Sequence, residues 1–331
     1  MNREGDAVTA ERYTAQQVAS MLGISEEQLR TELRDGRDDL PPRDPAYPNL
    51  LPRALVEALR ERMRARKEPT AARGPSSGAL IFSVTSGKGG VGKTSVSVNV
   101  ACEFARRGYR TILVDTDLGL ANAHILAGMK PEKTLSDYLE GKAKLADIVV
   151  DGPCGVRFLS GGSGIKEMAN LDDDGRERIL QAIRELQPFC DLILLDTGAG
   201  ISRAVTDFVS ISDHTIVVTT SNFAAIADAY GIVKVMVQEG YRSAMHLLVN
   251  RVRSPEEAEQ VYKKLKGCTE RFLGFDLNWL GLLPEDHSVE GAVLKRMPFC
   301  EAFPGSVATR YLKKIVTSLE RFVPAATSRT S

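Results

Sequence analysis

Residues 87 to 94 read Gly-Lys-Gly-Gly-Val-Gly-Lys-Thr, a glycine-rich string that ends in Lys-Thr and carries an additional lysine, Lys88, ahead of Lys93. Glycines let backbone N–H groups turn inward on a nucleotide's phosphates, Lys93 neutralises the outer phosphates, and the Thr94 hydroxyl offers a Mg²⁺ ligand. The apolar run Leu80-Ile81-Phe82-Ser83-Val84 precedes the string as a buried strand, and an amphipathic stretch from Thr94 to Arg107 follows it. The loop therefore sits between strand and helix, with phosphate at the helix N-terminus. Gly87, Gly89, Gly90, Val91, Gly92, Lys93, Thr94 and Ser95 form the expected nucleotide-contacting stretch.

A chain of 331 residues with 43% hydrophobic content can bury one large core plus a small accessory unit. Lys and Arg together number 43, as do Asp and Glu, so no global field draws the chain onto nucleic acid or an anionic membrane. The N-terminus is too polar for a secretory signal, and no uninterrupted apolar stretch approaches the roughly 20 residues of a membrane span. A cytoplasmic protein is expected, with recruitment to the inner face of the membrane left open. Cys102, Cys154, Cys190, Cys268 and Cys300 include no C-x-x-C pair, which reads as small buried hydrophobes and argues against zinc and a disulfide framework.

The aperiodic stretch 71–79 reads as a linker between an accessory domain, residues 1–70, and a nucleotide-binding domain, residues 80–323, with a polar tail over 324–331. In the accessory domain Val18, Ala19 and Leu22 share a helical face, Gly23 marks a turn, and Ser25 caps a second helix through Leu29 and Leu33. This is helix-turn-helix spacing and resembles the first half of a MerR-type winged helix, with Pro41 to Pro52 as the expected wing and Arg53 to Lys67 as the closing helix. Residues 1–76 carry 13 basic and 13 acidic side chains, and Glu26 and Glu27 open the second helix, where they would face phosphate. The run Arg60, Arg62, Arg64, Arg66 and Lys67 reads as either a basic patch or a solvated face. DNA contact and protein docking both stay open for residues 1–70.

Beyond the linker, Thr111–Val114, Val156–Leu159, Leu192–Leu195, Thr215–Val218, His246–Val249 and Trp279–Leu283 read as strands. Their branched, scarcely alternating character suits strands covered on both faces, hence a P-loop α/β fold with a doubly wound, mostly parallel sheet. Chemistry-bearing residues fall at the carboxyl ends of those strands. Asp115 and Asp117 end the second, where a metal-bound triphosphate needs acids to hold Mg²⁺ through water and orient the attacking water. Asp196 and Gly200 end Leu192-Ile193-Leu194-Leu195-Asp196-Thr197-Gly198-Ala199-Gly200, a Walker B pattern in which Asp196 holds Mg²⁺ via water and Gly200 offers an N–H to the γ-phosphate. Asn250-Arg251 and Pro284-Glu285-Asp286 end two further strands and suit a base. No Asn-Lys-x-Asp appears, so ATP is favoured over GTP.

Together these strings resemble the MinD/ParA class of deviant Walker A ATPases over residues 80–320. Asp117-Leu118-Gly119-Leu120-Ala121-Asn122, Gly198-Ala199-Gly200-Ile201-Ser202 and Val252-Arg253-Ser254-Pro255 look most like its FlhG/FleN group of flagellar number regulators. The resemblance implies a slow, partner-stimulated ATPase that uses ATP and Mg²⁺ and forms a homodimer in the ATP state. In it Lys88 of each subunit reaches the other's phosphates, Lys93 and Asp117 complete the catalytic set, and Thr94, Asp115 and Asp196 manage Mg²⁺. Asp228 resembles an acid that holds the signature lysine when ATP is absent. It also implies protein partners from the flagellar assembly or its regulators.

Two features depart from that group. The stripe Ala308, Tyr311, Leu312, Ile315, Val316, Leu319 and Phe322 reads as a closing helix packed on the sheet and leaves membrane contact without support. The short Asp-Gln-Ala segment of the group's N-terminus is not found between Met1 and Ser77. The readings from other classes are a ParA-like partition protein or DNA-binding regulator controlled by ATP, and a metabolic P-loop enzyme for which no substrate pocket is evident.

Overall fold

The computed structural model describes residues 12–22, 26, 29–30, 33, 50–59, 78–118, 121–162 and 171–324. The Gly23 turn, the Ser25 cap, Glu27, most of the wing, Arg60–Lys67, all of the linker but 78–79, Gly119-Leu120 and the tail from 325 lie outside them. The chain divides into two compact units, Met1–Ala72 and Arg73–Ser331.

In the N-terminal unit, strand β1 (Arg12–Thr14) runs directly into helix α1 (Ala15–Leu22), and β1 pairs antiparallel with β2 (Leu50–Pro52). The unit expected to be α-helical thus also holds a small sheet. The reason is local: Thr14 and Gln17 form a reciprocal cap, the Thr14 N–H donating to Gln17 Oε1 at 2.9 Å and the Gln17 N–H to Thr14 Oγ1 at 3.2 Å. That pair starts the helix at Ala15 and frees Arg12 to Thr14 to be extended. Val18, Ala19, Leu22 and Leu29 bury with Leu51, Leu55, Val56 and Leu59.

The larger unit is an eight-stranded sheet in the order β10-β9-β8-β3-β7-β4-β6-β5. In chain order its strands are β3 (Leu80–Ser86), β4 (Thr111–Thr116), β5 (Val149–Asp151), β6 (Arg157–Leu159), β7 (Leu192–Ala199), β8 (His214–Thr219), β9 (Ala244–Val252) and β10 (Asn278–Pro284). All pair parallel except β5, an antiparallel edge strand. Each expected strand is present, and β5 is additional.

Helices cover both faces. Leu192 and Leu194 enter one apolar cluster and Ile193 and Leu195 the opposite one, so a single strand feeds two cores. Each such side chain contributes roughly 1.5–3 kcal/mol when fully buried. The principal helices are α2 (Lys93–Arg106), α3 (Asp173–Leu186), α4 (Arg203–Ser210), α5 (Phe223–Gln238), α6 (Pro255–Leu273), α7 (His287–Lys295), α8 (Phe299–Ala302) and α9 (Val307–Glu320). The α9 stripe of Ala308, Leu312, Ile315, Val316 and Leu319 is buried in the core with β10 residues Leu280 and Leu283, so that helix closes the sheet. Among the described residues no helix is long and apolar enough to cross a membrane.

Candidate functional site

The loop between β3 and α2 is held in a shape that glycine makes accessible. Gly90 and Gly92 have φ of 79° and 93°, a region where a Cβ is strained. A Cβ on Gly87 would lie 1.9 Å from the Asp228 carbonyl oxygen, and one on Gly92 would lie 2.3 Å from Asn250 Nδ2. The Gly92 N-cap has no side chain to spend on the first turn of α2, whereas Asp172, Asn222, Ser254, Asp286 and Ser306 each accept an N–H at the start of their own helices. The first-turn donors of α2 are left for an anion, with no acid nearby in the turn to repel it.

Register builds the metal side. Asp115 in β4 pairs with Asp196 in β7, and Asp196 with Val84 in β3, just before the loop. Both acids are buried. Lys93 Nζ donates to Asp196 Oδ1 at 3.2 Å and Ser97 Oγ to the same oxygen at 2.9 Å, while Asp196 Oδ2 is buried without a hydrogen-bond partner. Asp115 accepts the Asp117 N–H at 3.2 Å and the Ala123 N–H at 2.9 Å. Burial, then the charge of Asp196, pushes its carboxyl up to about 8. An orphaned carboxylate oxygen beside a second buried acid fits a hard divalent cation such as Mg²⁺ bound through water; Thr94 lines the adjacent cleft, and the two acids lie behind its wall.

The cleft has a volume of about 870 Å³ and brings together Gly89, Gly90, Gly92, Lys93, Thr94 and Ser95 with Asp117, Gly198 and Arg251. Asp117 is half-buried, its Oδ1 3.8 Å from where a Cβ on Gly198 would stand. An adjoining cavity of about 210 Å³ joins Gly92 and Ser95 to Asn250, Arg251, Pro284, Glu285 and Asp286. The strand-end residues read as base contacts therefore surround one hollow beside the phosphate loop.

Several of these residues are engaged differently from the sequence reading. The Gly200 N–H donates to the Ser86 carbonyl at 2.9 Å, tying the Walker B turn to the strand that feeds the loop instead of presenting it to a phosphate. Asn250 Nδ2 donates to the Val91 carbonyl at 2.7 Å and its Oδ1 accepts the Arg251 N–H at 2.9 Å, so its amide supports the phosphate loop from beneath. Asp286 caps two segments, accepting the Ser288 and Ala308 N–H groups, each at 2.9 Å. Burial opposes its charge, yet these donors hold its carboxyl below the ordinary range. Lys88 and Asp228 are both exposed and no ion pair joins them; α5 instead abuts Gly87 with its backbone. Ser97 was missed because it lies beyond the loop string, one turn past Lys93 on the same helix face.

Cys102, Cys190 and Cys300 are buried, as small hydrophobes are, and none of the five cysteines is in a disulfide. Cys102, Cys154 and Cys300 converge with sulfurs within 4.8 Å of one another, a grouping that sequence spacing hides because three separate elements supply it.

Over residues 82–299 the sequence matches the CobQ/CobB/MinD/ParA nucleotide binding domain family. The chain belongs to the MinD/ParA family of ATPases. It is 36% identical to the antiactivator FleN of Pseudomonas aeruginosa over 75% of this chain and 89% of that protein. It is 30% identical to the flagellum site-determining protein YlxH of Helicobacter pylori over 71% and 80%. Among solved structures, MinD of Pyrococcus horikoshii complexed with Mg-ADP is 25% identical with a TM-score of 0.65, covering 76% of this chain and 100% of that one. MinD of Aquifex aeolicus, solved in complex with MinC, shares the fold with a TM-score of 0.59 at 23% identity, covering 73% and 96%.

Proposed function

We propose that this MinD/ParA-family ATPase is an ATP-dependent dimerisation switch that sets the number or placement of flagella, acting through protein partners of the flagellar assembly. The carrying observation is the division of labour between two lysines on one loop. Lys93 is buried and paired with Asp196 inside its own subunit, whereas Lys88 on the same loop is exposed. A lysine so placed is available to a second copy's phosphates. Two triphosphates brought face to face repel unless cations intervene, so crossed lysines make the dimer depend on the terminal phosphate. The flagellar reading rests on the names of the FleN and YlxH relatives.

In this reading Thr94, Asp115 and Asp196 hold Mg²⁺, which supplies charge neutralisation at the phosphates. Lys93 exchanges its Asp196 partner for phosphate, and the α2 N-terminus orients the anion. Asp117, half-buried at the cleft wall, positions the hydrolytic water. The Asn250, Arg251 and Pro284-Glu285-Asp286 hollow takes the base, with Asn250 keeping the loop's shape. Gly200 breaks from Ser86 to report on the terminal phosphate. The domain assignment follows: residues 80–323 form the switch, and residues 1–70 dock a partner. Light scattering on the eluting chain tests the reading. ATP and Mg²⁺ convert a monomer to a dimer, Asp117→Ala holds that dimer through long incubation, and a flagellar defect follows loss of either behaviour in cells.

A further inference from the structure

The far end of α2 carries a second constellation unconnected to nucleotide. Cys102 on that helix, Cys154 in the Pro153–Gly155 turn and Cys300 on α8 place their three sulfurs within 4.8 Å of one another. Cys102 and Cys300 are buried and Cys154 is half-buried. A carboxylate joins them, with Cys154 Sγ 3.5 Å from Glu301 Oε2. Packing of small apolar thiols does not require such a neighbour. Nor does it require Cys154 to hold a φ of 59°, a left-handed conformation that a residue with a Cβ adopts at a cost.

We propose that Cys102, Cys154 and Cys300 bind one thiophilic divalent cation of the zinc class, with Glu301 as the fourth, oxygen donor. Tetrahedral zinc with Zn–S bonds of ~2.3 Å sets its sulfurs ~3.8 Å apart, a modest contraction of the triangle present. So tight a triangle encloses a single ion and not a four-iron cube. Three sulfurs and an adjacent carboxylate also exceed what a disulfide uses.

The surroundings supply what such an ion needs. Asn99, Cys102 and Arg106 fall at helical spacing on α2, and the outer two fix Cys300 from either side. Asn99 Oδ1 accepts the Cys300 N–H at 2.9 Å, and Arg106 Nη1 donates to the Cys300 carbonyl at 2.7 Å. The Arg106 guanidinium also offsets the excess negative charge of three thiolates and a carboxylate around a dication. Loading is ligand exchange: the thiol protons pass to solvent as metal–sulfur bonds form, and no electron is transferred. The ion fastens α2 to the turn before β6 and to α8.

The test uses the full, untagged chain, reduced, stripped with chelator and free of nucleotide. Titration with Co²⁺ under anaerobic conditions is expected to give thiolate-to-cobalt charge-transfer absorption with intense tetrahedral visible bands, saturating at one equivalent, and Zn²⁺ is expected to displace it. Cys154→Ser, at the half-buried position, abolishes the charge-transfer absorption, and Arg106→Gln weakens binding roughly 10-fold or more. A readout independent of variants is alkylation of the wild-type chain followed by peptide mass spectrometry. One equivalent of Zn²⁺ should slow modification of Cys154 at least about 10-fold and leave half-buried Cys268 unchanged. No charge-transfer band, an unchanged band in Cys154→Ser, or a Cys154 alkylation rate indifferent to Zn²⁺ overturns the proposal. So does a chain that takes up no metal when reduced and forms only a disulfide in air.

Discussion

Asp115 and Asp196 stand opposite each other as register partners on β4 and β7, both buried, with Lys93 bonded to Asp196. Burial first, then the charge of Asp196, raises the Asp115 carboxyl to about 8, so near neutral pH it holds a proton that a bound cation would displace.

The two acids should respond unequally to neutralisation in the nucleotide-free chain. Asp196→Ala strips the buried Lys93 of its partner and is expected to cost about 3–5 kcal/mol of unfolding free energy. Asp115→Asn removes a like-charge contact but sets an amide NH2 against one of the two N–H groups that its oxygens accept, so it should cost less, about 1–3 kcal/mol, while both variants lose Mg²⁺-dependent ATP turnover. Urea unfolding alongside phosphate release checks this, and a loss in Asp115→Asn that exceeds the loss in Asp196→Ala would contradict it.

The phosphate loop's glycines should separate by what surrounds them. Gly87→Ala drives a Cβ into the Asp228 carbonyl oxygen, where rigid backbone must yield, and should destabilise by about 1–3 kcal/mol or more. Gly89 has no atom within 4 Å of its Cβ position, so Gly89→Ala should unfold within roughly 0.5 kcal/mol of the parent. Thermal and urea unfolding of the two variants decide; equal losses would contradict the packing of α5 on the loop.

A third expectation concerns pH. His214 Nδ1 lies 3.2 Å from His246 Nε2, and Phe322 packs against both rings. Burial first, then the charges of His214 and Arg321, push the His246 imidazole from 6.5 down to about 4. The folded chain keeps it neutral where the unfolded chain binds a proton. Stability is thus full above pH 6.5 and falls as pH drops towards 4, by roughly 2–3 kcal/mol from this group. His246→Gln should flatten the slope of unfolding free energy across that interval. An unchanged slope would place the proton uptake elsewhere.

Much of the site was legible because each part is a contiguous string at a strand end: the lysine-bearing loop, Asp115 with Asp117, and the Walker B run through Asp196. The sheet was legible for the same reason, since apolar runs without alternation report two covered faces. What stayed hidden depends on distant partners. Ser97 acquires its role only from helix phase, and Gly200 and Asn250 only from the carbonyls of Ser86 and Val91 that close on them. The cysteine triad is invisible to spacing rules because a helix, a turn and a C-terminal segment each supply one member. In the N-terminal unit a reciprocal Thr14–Gln17 cap, easily read as part of a longer helix, marks where a strand ends.

The most direct test of the account is the mass of the Lys88→Ala chain, by light scattering during gel filtration, with saturating ATP and Mg²⁺ in an Asp117→Ala background that suppresses turnover. The account predicts a monomer that still binds ATP, beside a dimer for Asp117→Ala alone and loss of ATP binding for Lys93→Ala. A full dimer formed without Lys88 would contradict the claim that this exposed lysine couples one subunit to its partner's terminal phosphate.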